Sequence, residues 1–195
     1  MNRSSRLLFG MVSVLLSIAV SELAAAQSPM QPVADPRGRF TIDFPGDWHV
    51  VRPESGMIAV LGVATASDGP NPASVNVVVE DIPRAISPQT YARLSERMLQ
   101  AVFHNYTPIE SGAAVIAGLP AYYRYFTWQP NVGRPLYQVQ AYFTIGRRGF
   151  VITGSTWNDP AYTRRYVPVI AQIIETFRPA AASIRGSGVP AQPAL

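Results

Sequence analysis

Few residues in this chain of 195 could perform catalysis or bind a metal. Cysteine and lysine are absent, histidine occurs only as His49 and His104, and all 16 basic residues are arginine. These absences exclude a thiol nucleophile, a cysteine-bound zinc or iron–sulfur centre, a lysine Schiff base and a P-loop. Two histidines also cannot supply the three imidazoles of a three-histidine zinc site.

Both histidines have a simpler interpretation than catalysis. His49 is two residues from Asp47, so the two side chains could share a metal ion. Two ligands make a weak site, however, and an imidazole beside a predicted turn is more often solvated. His104 ends a predicted helix, where a cation complements the helix dipole. The sequence therefore predicts no metal site and no cofactor.

Fragments of hydrolase chemistry are present but incomplete. Ser155 follows Gly154, but the second glycine of the G-x-S-x-G elbow is missing and the serine lies in a predicted strand. Glu80 and Asp81 are adjacent in a strand, so they point to opposite faces and cannot act together on one bond. We predict a protein that is not an enzyme. An unrecognised hydrolase stays open as an alternative, because a catalytic triad is defined by geometry.

The densest grouping of aromatic and polar side chains lies on two neighbouring predicted strands. An arginine among aromatic rings can bind an anion or stack on a flat ligand, and Tyr and Trp are favoured at protein interfaces. The candidate binding surface consists of Tyr122, Arg124, Trp128, Gln138, Gln140 and Tyr142. In the competing interpretation, these rings lie under a helix, with the stem of Arg124 along them and its guanidinium in water.

Eight strands are predicted from alternating or continuous apolar residues bounded by Gly, Pro, Asn and Asp. They span residues 40–44, 48–52, 57–64, 74–81, 109–116, 121–128, 136–145 and 149–157. Short turns between consecutive strands favour antiparallel pairing.

Two helices are predicted, each with a capping residue followed by proline. The first begins at Ser87, and its apolar stripe of Tyr91, Leu94, Met98 and Val102 is expected to cover a sheet. The second begins at Asp159, with a kink or a break expected at Pro168. The predicted fold is α+β, an antiparallel sheet covered by helices on both faces.

The first 26 residues have the order of a secretory signal peptide. Arg3 and Arg6 precede an apolar run of 14 residues, 7–20, and small residues close the segment at Ala26. A transmembrane helix needs about 20 apolar residues. We predict cleavage after Ala26, no membrane span afterwards, and a periplasmic or secreted protein; an uncleaved anchor is the alternative.

The remainder of the chain is predicted to be one domain with a tail at each end. Residues 27–36 and 179–195 are rich in proline and small residues and are expected to be flexible, leaving a folded unit over 37–178. The net charge is +4 without any run of basic residues, whereas nucleic-acid-binding domains carry a basic stripe. No nucleic-acid partner is therefore predicted.

Three segments resemble the PsbP-like superfamily of extrinsic PsbP and DcrB-like domains. They are FTIDFPGDW over 40–48, AGLPA over 117–121 and IIETFR over 173–178. The resemblance spans about 40–178. It implies an α/β/α sandwich with an antiparallel central sheet and a role in binding or assembly without catalysis.

The leading functional hypothesis is an exported, non-catalytic domain that binds an unknown envelope protein or supports an envelope assembly. The alternative is a periplasmic carrier of a small apolar or anionic ligand, with Arg124 and Trp128 in the pocket wall. A deep apolar pocket would favour the carrier, and an exposed aromatic patch would favour the protein partner. The sequence identifies neither the partner nor the oligomeric state.

Overall fold

The computed structural model describes residues 28–54, 56–65 and 72–180. Ten strands and two helices lie within these ranges. In chain order they are β1 (Met30–Ala34), β2 (Phe40–Pro45), β3 (Trp48–Val51), β4 (Ile58–Ala64), β5 (Ala73–Asp81), α1 (Pro88–Val102), β6 (Thr107–Ile116), β7 (Leu119–Trp128), β8 (Leu136–Ile145), β9 (Arg148–Trp157), α2 (Pro160–Glu175) and β10 (Arg178–Pro179).

Seven of these strands form one antiparallel sheet in the order β3-β4-β5-β9-β8-β7-β6. A smaller sheet has the order β1-β2-β10. All eight strands expected from the sequence are present, with ends that differ by no more than two residues. The predicted α+β class with antiparallel pairing is therefore confirmed. In the described ranges, no helix is both long and apolar enough to cross a membrane.

Residues 30–34 form a strand, so the flexible tail expected over 27–36 is wrong at these positions. They pair with β2 from Pro45 back to Thr41, and Val33 is buried. Proline-rich composition misled the prediction because an edge strand tolerates proline wherever no ladder hydrogen bond needs its N–H. At the other end, Arg178 and Pro179 also pair with β2. The expected signal peptide and the expected tail beyond Ala180 lie outside the described residues.

Helix α1 contacts β7 and β8, but through a different stripe from the predicted one. Its cap is as expected: the Ser87 hydroxyl accepts a hydrogen bond from the Thr90 N–H at 3.2 Å. Tyr91 is buried, but Leu94, Met98 and Val102 are exposed. The helix instead faces the sheet with Tyr91 and Ala92, which are buried, and with the polar side chain of Glu96, which pairs with Arg124.

Helix α2 packs against β9, β8, β5 and β2 through an apolar stripe whose buried members are Tyr166, Val169, Ile170, Ile173 and Ile174. Asp159 caps it by accepting from the Ala161 N–H at 2.8 Å. The helix continues through Pro168, so of the two outcomes expected there, a kink or a break, the break is wrong. Gly154 allows the close approach of this helix to the sheet, because a β-carbon there would lie 2.1 Å from Ile170 Cγ2.

Four phenylalanines close the centre of the core between α2, the large sheet and β2. Phe177 follows α2, and its ring lies 4.9 Å from Phe143, 5.3 Å from Phe150 and 5.7 Å from Phe40. All four are buried. The small sheet is thereby attached to the large one.

Candidate functional site

The six residues predicted as a binding surface do not form one. Arg124 and Tyr142 are only 2% and 1% exposed, Gln138 and Gln140 are buried as well, and Tyr122 is half-buried. Helix α1 covers this part of β7 and β8. The prediction of a solvent-facing site at these positions is therefore wrong.

Arg124 is held inside the protein by α1. Its Nη2 donates to the Ala92 carbonyl at 3.2 Å and to Glu96 Oε2 at 3.1 Å, and its Nη1 donates to the Tyr142 hydroxyl at 3.4 Å. The guanidinium carbon also lies 5.6 Å from the centre of the Tyr142 ring. The competing interpretation was correct about the covering helix but wrong in placing the guanidinium in water.

The polar side chains beside Arg124 pair with one another across the strands. Gln140 Nε2 donates to Thr153 Oγ1 at 3.2 Å, and Gln138 Nε2 donates to Ser155 Oγ at 2.8 Å. The Tyr142 hydroxyl donates to Gln140 Oε1. The two glutamines therefore join β8 to β9 on the side of the sheet that α1 covers.

Trp128 is the last residue of β7 and lies on the same face of the strand as Arg124. Its ring stacks on Phe103 at 4.3 Å between ring centres, and its Nε1 is buried without a hydrogen-bond partner in the described structure. His49 and His104 are both exposed, and no described hydrogen bond joins either imidazole to a serine or an acid. Among the residues that the structure describes, no group of three or more His, Asp or Glu could hold a metal ion.

An open groove lies where the alternate residues of the same strands meet α2. We call it the tyrosine groove; its volume is about 510 Å³. Tyr123 and Tyr125 of β7 and Tyr137 of β8 form one wall, and α2 supplies Val167, Ala171 and Ile174. The Tyr123 and Tyr125 rings are 5.6 Å apart, and the Tyr125 and Tyr137 rings are 6.2 Å apart. The three phenols form a ladder along the wall.

Two carboxylates lie at the tyrosine groove. Glu110 Oε1 accepts a hydrogen bond from the Tyr123 hydroxyl at 2.6 Å, and Glu175 Oε2 accepts from the Ala117 N–H at 3.0 Å. None of the described residues that line the groove is basic. The groove is therefore a local acidic site in a chain with a formal charge of +4.

The phenols of the groove stay protonated at neutral pH. The hydrogen bond to Glu110 raises the pKa of Tyr123, and partial burial raises the pKa values of Tyr125 and Tyr137. Neutral phenols next to carboxylates can donate hydrogen bonds and present ring faces to a cation. The arrangement is suited to binding rather than to proton transfer.

The aromatic run on β7 is the sequence signal for this groove, but the binding surface was predicted on the wrong face of the strand. The run from Tyr122 to Trp128 is aromatic on both faces of the strand, so alternation alone cannot choose the exposed face. The side facing α2 could have been found from its neighbours. Ala141 and Ala114 are small and lie on strands adjacent to β7, next to the large rings of Tyr123 and Tyr125. A small side chain beside a large ring leaves unfilled space between the sheet and α2, and that space is the groove.

Three solved structures share the fold. The PsbP of the cyanobacterium Synechocystis sp. PCC 6803, CyanoP, is 14% identical, with 80% of this chain and 95% of that chain covered and a TM-score of 0.57. LpqN, involved in cell envelope biogenesis of Mycobacterium tuberculosis, is 16% identical over 77% and 91%, with a TM-score of 0.57. The Ran-binding protein Mog1p of Saccharomyces cerevisiae is 10% identical over 80% and 98%, with a TM-score of 0.59.

These likenesses show that the chain has the PsbP-like fold, as its sequence resemblance implied. At such identities they show the fold alone. No protein-family model matches the chain, and no curated protein matches its sequence.

Proposed function

We propose that this protein is an exported, non-catalytic binding domain that holds a protein partner of the cell envelope in the tyrosine groove. One observation carries the proposal: three partly exposed tyrosines line an open groove of about 510 Å³ beside two carboxylates. Tyrosine is enriched at protein interfaces because it combines a large apolar area with a hydroxyl. The groove offers that combination three times.

The solved structures of the same fold support a binding role. Mog1p is a Ran-binding protein, and LpqN takes part in cell envelope biogenesis. The expected signal peptide over residues 1–26 supports export to the periplasm or beyond. We assign α1 and α2 to opposite faces of the large sheet, as in an α/β/α sandwich, because the residues that they contact alternate along the strands.

A carrier of small molecules is the second candidate function. The groove volume falls within the range of roughly 300–1,000 Å³ found for small-ligand sites. Arg124 is buried under α1 and is not in the groove wall, whereas Glu110 and Glu175 are. A neutral or cationic ligand would therefore fit better than the anion considered from the sequence.

Site-specific photocrosslinking in the source organism tests the proposal. The full chain is expressed with p-benzoylphenylalanine in place of Tyr137, irradiated in intact cells, and analysed by mass spectrometry. The matched control carries the same group in place of Met98, which is exposed on α1 and does not line the groove.

We expect one reproducible protein adduct from position 137 and none from position 98. An adduct at position 98 alone would move the binding surface to the exposed stripe of α1 and overturn the proposal. If neither position gives a protein adduct, the carrier takes its place. Native mass spectrometry of the purified protein would then detect a retained small molecule.

A further inference from the structure

Strand β6 is an open edge of the large sheet. Within the described ranges, nine of its ten residues pair with β7 on one side, and no strand pairs with β6 on the other. An unpaired edge exposes backbone N–H and C=O groups that can form a ladder with another chain. The opposite edge, β3, is only four residues long.

The register shows which backbone groups face outward. A two-residue turn at Ala117 and Gly118, with φ values of 53° and 76°, joins Ile116 to Leu119. In such a hairpin the closing pair is hydrogen-bonded, and bonded pairs then alternate along the ladder. The N–H and C=O groups of Ser111, Ala113 and Val115 therefore point away from β7, at three positions in succession.

Within the part of the chain that the structure describes, the usual protection of an edge strand is missing from this stretch. Natural edges are blocked by lysine, proline, bulges or a covering element. In β6 the proline and the register shift both lie at its start, between Pro108 and Glu110, and residues 111–116 read SGAAVI. Val115 is 74% exposed. The last six residues are uncharged and in regular register with β7, so they can template a further strand.

The side chains beside this edge specify a cation. Tyr123 lies over Gly112, where a β-carbon would be 3.1 Å from its Cε1 and its hydroxyl oxygen. Its hydroxyl donates to Glu110 of the same edge strand. A side chain placed opposite Gly112 by an added strand would meet a phenol ring and a carboxylate together. Lys or Arg satisfies both, by a cation–π contact and by charge.

We propose that the partner enters as an extended segment that adds a strand to β6 and places a Lys or Arg side chain on Tyr123 beside Glu110. This inference rests on the proposed function, since it names the form and charge of the partner held in the tyrosine groove. A second copy of this chain pairing through its own β6 could not supply the cation, because β6 contains no basic residue.

A pair of variants at one position tests the added strand. Ala113→Pro removes an outward N–H and leaves the bonds to β7, whereas Ala113→Val keeps that N–H. Random 12-residue peptides displayed on phage are selected on the wild-type protein. We expect enriched peptides with Lys or Arg among alternating β-branched residues, and Ala113→Pro to weaken their binding by about tenfold. Ala113→Val should bind them normally.

A second measurement leaves the protein unchanged, in case Ala113→Pro does not fold. The best enriched peptide is resynthesised in two forms, one with N-methyl groups on the odd-numbered residues and one with them on the even-numbered residues. Only the form whose N-methyl groups replace the N–H groups that face β6 should lose binding. Glu110→Gln in the protein should remove the preference for Lys or Arg in the peptide.

Three results would overturn the inference. They are enriched acidic peptides, peptides indifferent to Ala113→Pro and to N-methylation in both forms, and selection of nothing. A dimer that dissociates in Ala113→Pro, or peptide binding that appears only when the chain ends at Ala180, would assign the edge to another copy or to the chain's own end. A photocrosslinked partner at position 137 would still stand in all these cases, so the two proposals fail separately.

Discussion

Arg124 Nη2 lies 3.1 Å from Glu96 Oε2, and this ion pair joins β7 to α1 across the buried face of the sheet. The arginine is almost fully buried, whereas about a third of the Glu96 side chain is exposed. The Ala92 carbonyl and the Tyr142 hydroxyl accept further hydrogen bonds from the guanidinium. Arg124 therefore positions α1, and its role is structural.

Arg124→Ala should destabilise the protein by about 3 kcal/mol, because it breaks the ion pair with Glu96 and removes the hydrogen bond to the Ala92 carbonyl. Urea unfolding followed by circular dichroism measures this loss. Arg93→Ala, on the exposed side of the same helix, is the control and should change stability by less than about 0.5 kcal/mol. Equal effects of the two substitutions would contradict the structural role.

Gly154→Ala should cost about 1–3 kcal/mol, since the new β-carbon would lie 2.1 Å from Ile170 Cγ2 and force α2 away from β9. Ile170→Ala alone should also destabilise the protein by leaving a cavity. The double variant relieves the clash and fills part of that cavity, so its loss should be smaller than the sum of the two single losses. A purely additive result in thermal unfolding would show that the two residues are not in contact.

Folding stability should fall as the pH rises above about 10. Burial raises the pKa of Tyr142 and of Tyr91, so both phenols keep their protons in the folded chain at a pH at which the unfolded chain loses them. Each such phenol lowers stability by about 1.4 kcal/mol per pH unit in that range. Tyr142→Phe removes one of these phenols, so the free energy of unfolding should fall less steeply with pH in this variant. Urea unfolding at pH 9 to 11 measures the difference. An unchanged slope would count against burial of this hydroxyl.

Glu110→Gln should lower the pKa of Tyr123 towards its ordinary value, because the hydrogen bond to that carboxylate is the main cause of the upward shift. Nuclear magnetic resonance of the Tyr123 ring carbon during an alkaline titration reads this pKa directly. Glu175→Gln is the matched control: it removes a carboxylate from the same groove without touching Tyr123 and should leave the titration unchanged.

Most of the fold followed from local patterns in the sequence. Alternation gave the strands from β2 to β9, and a capping residue followed by proline located the start of both helices. β1 was missed because its pairing partner, not its composition, makes it a strand. The exposed stripe of Leu94, Met98 and Val102 shows that an apolar pattern does not identify the buried side of a helix when a buried charge such as Arg124 must be paired on that side.

The candidate site was harder to predict for a related reason. Tyr122 and Tyr123 are the same residue type on opposite faces of one strand, and only tertiary packing decides which face a helix seals. Arg124 drew attention as a binding group, yet its charge is neutralised by a residue 28 positions earlier. Such a long-range partner leaves no local mark in the sequence.

The pairing of β10 with β2 also bears on the order in which the domain can be completed. Phe177 completes the aromatic centre of the core, and Pro179 pairs with Phe40, so the final contacts connect residues separated by nearly the whole described chain. Contacts between distant residues slow folding, because the intervening chain must first be ordered. A chain still emerging from the ribosome therefore lacks the last element of its core until Phe177 and Pro179 can reach Phe40.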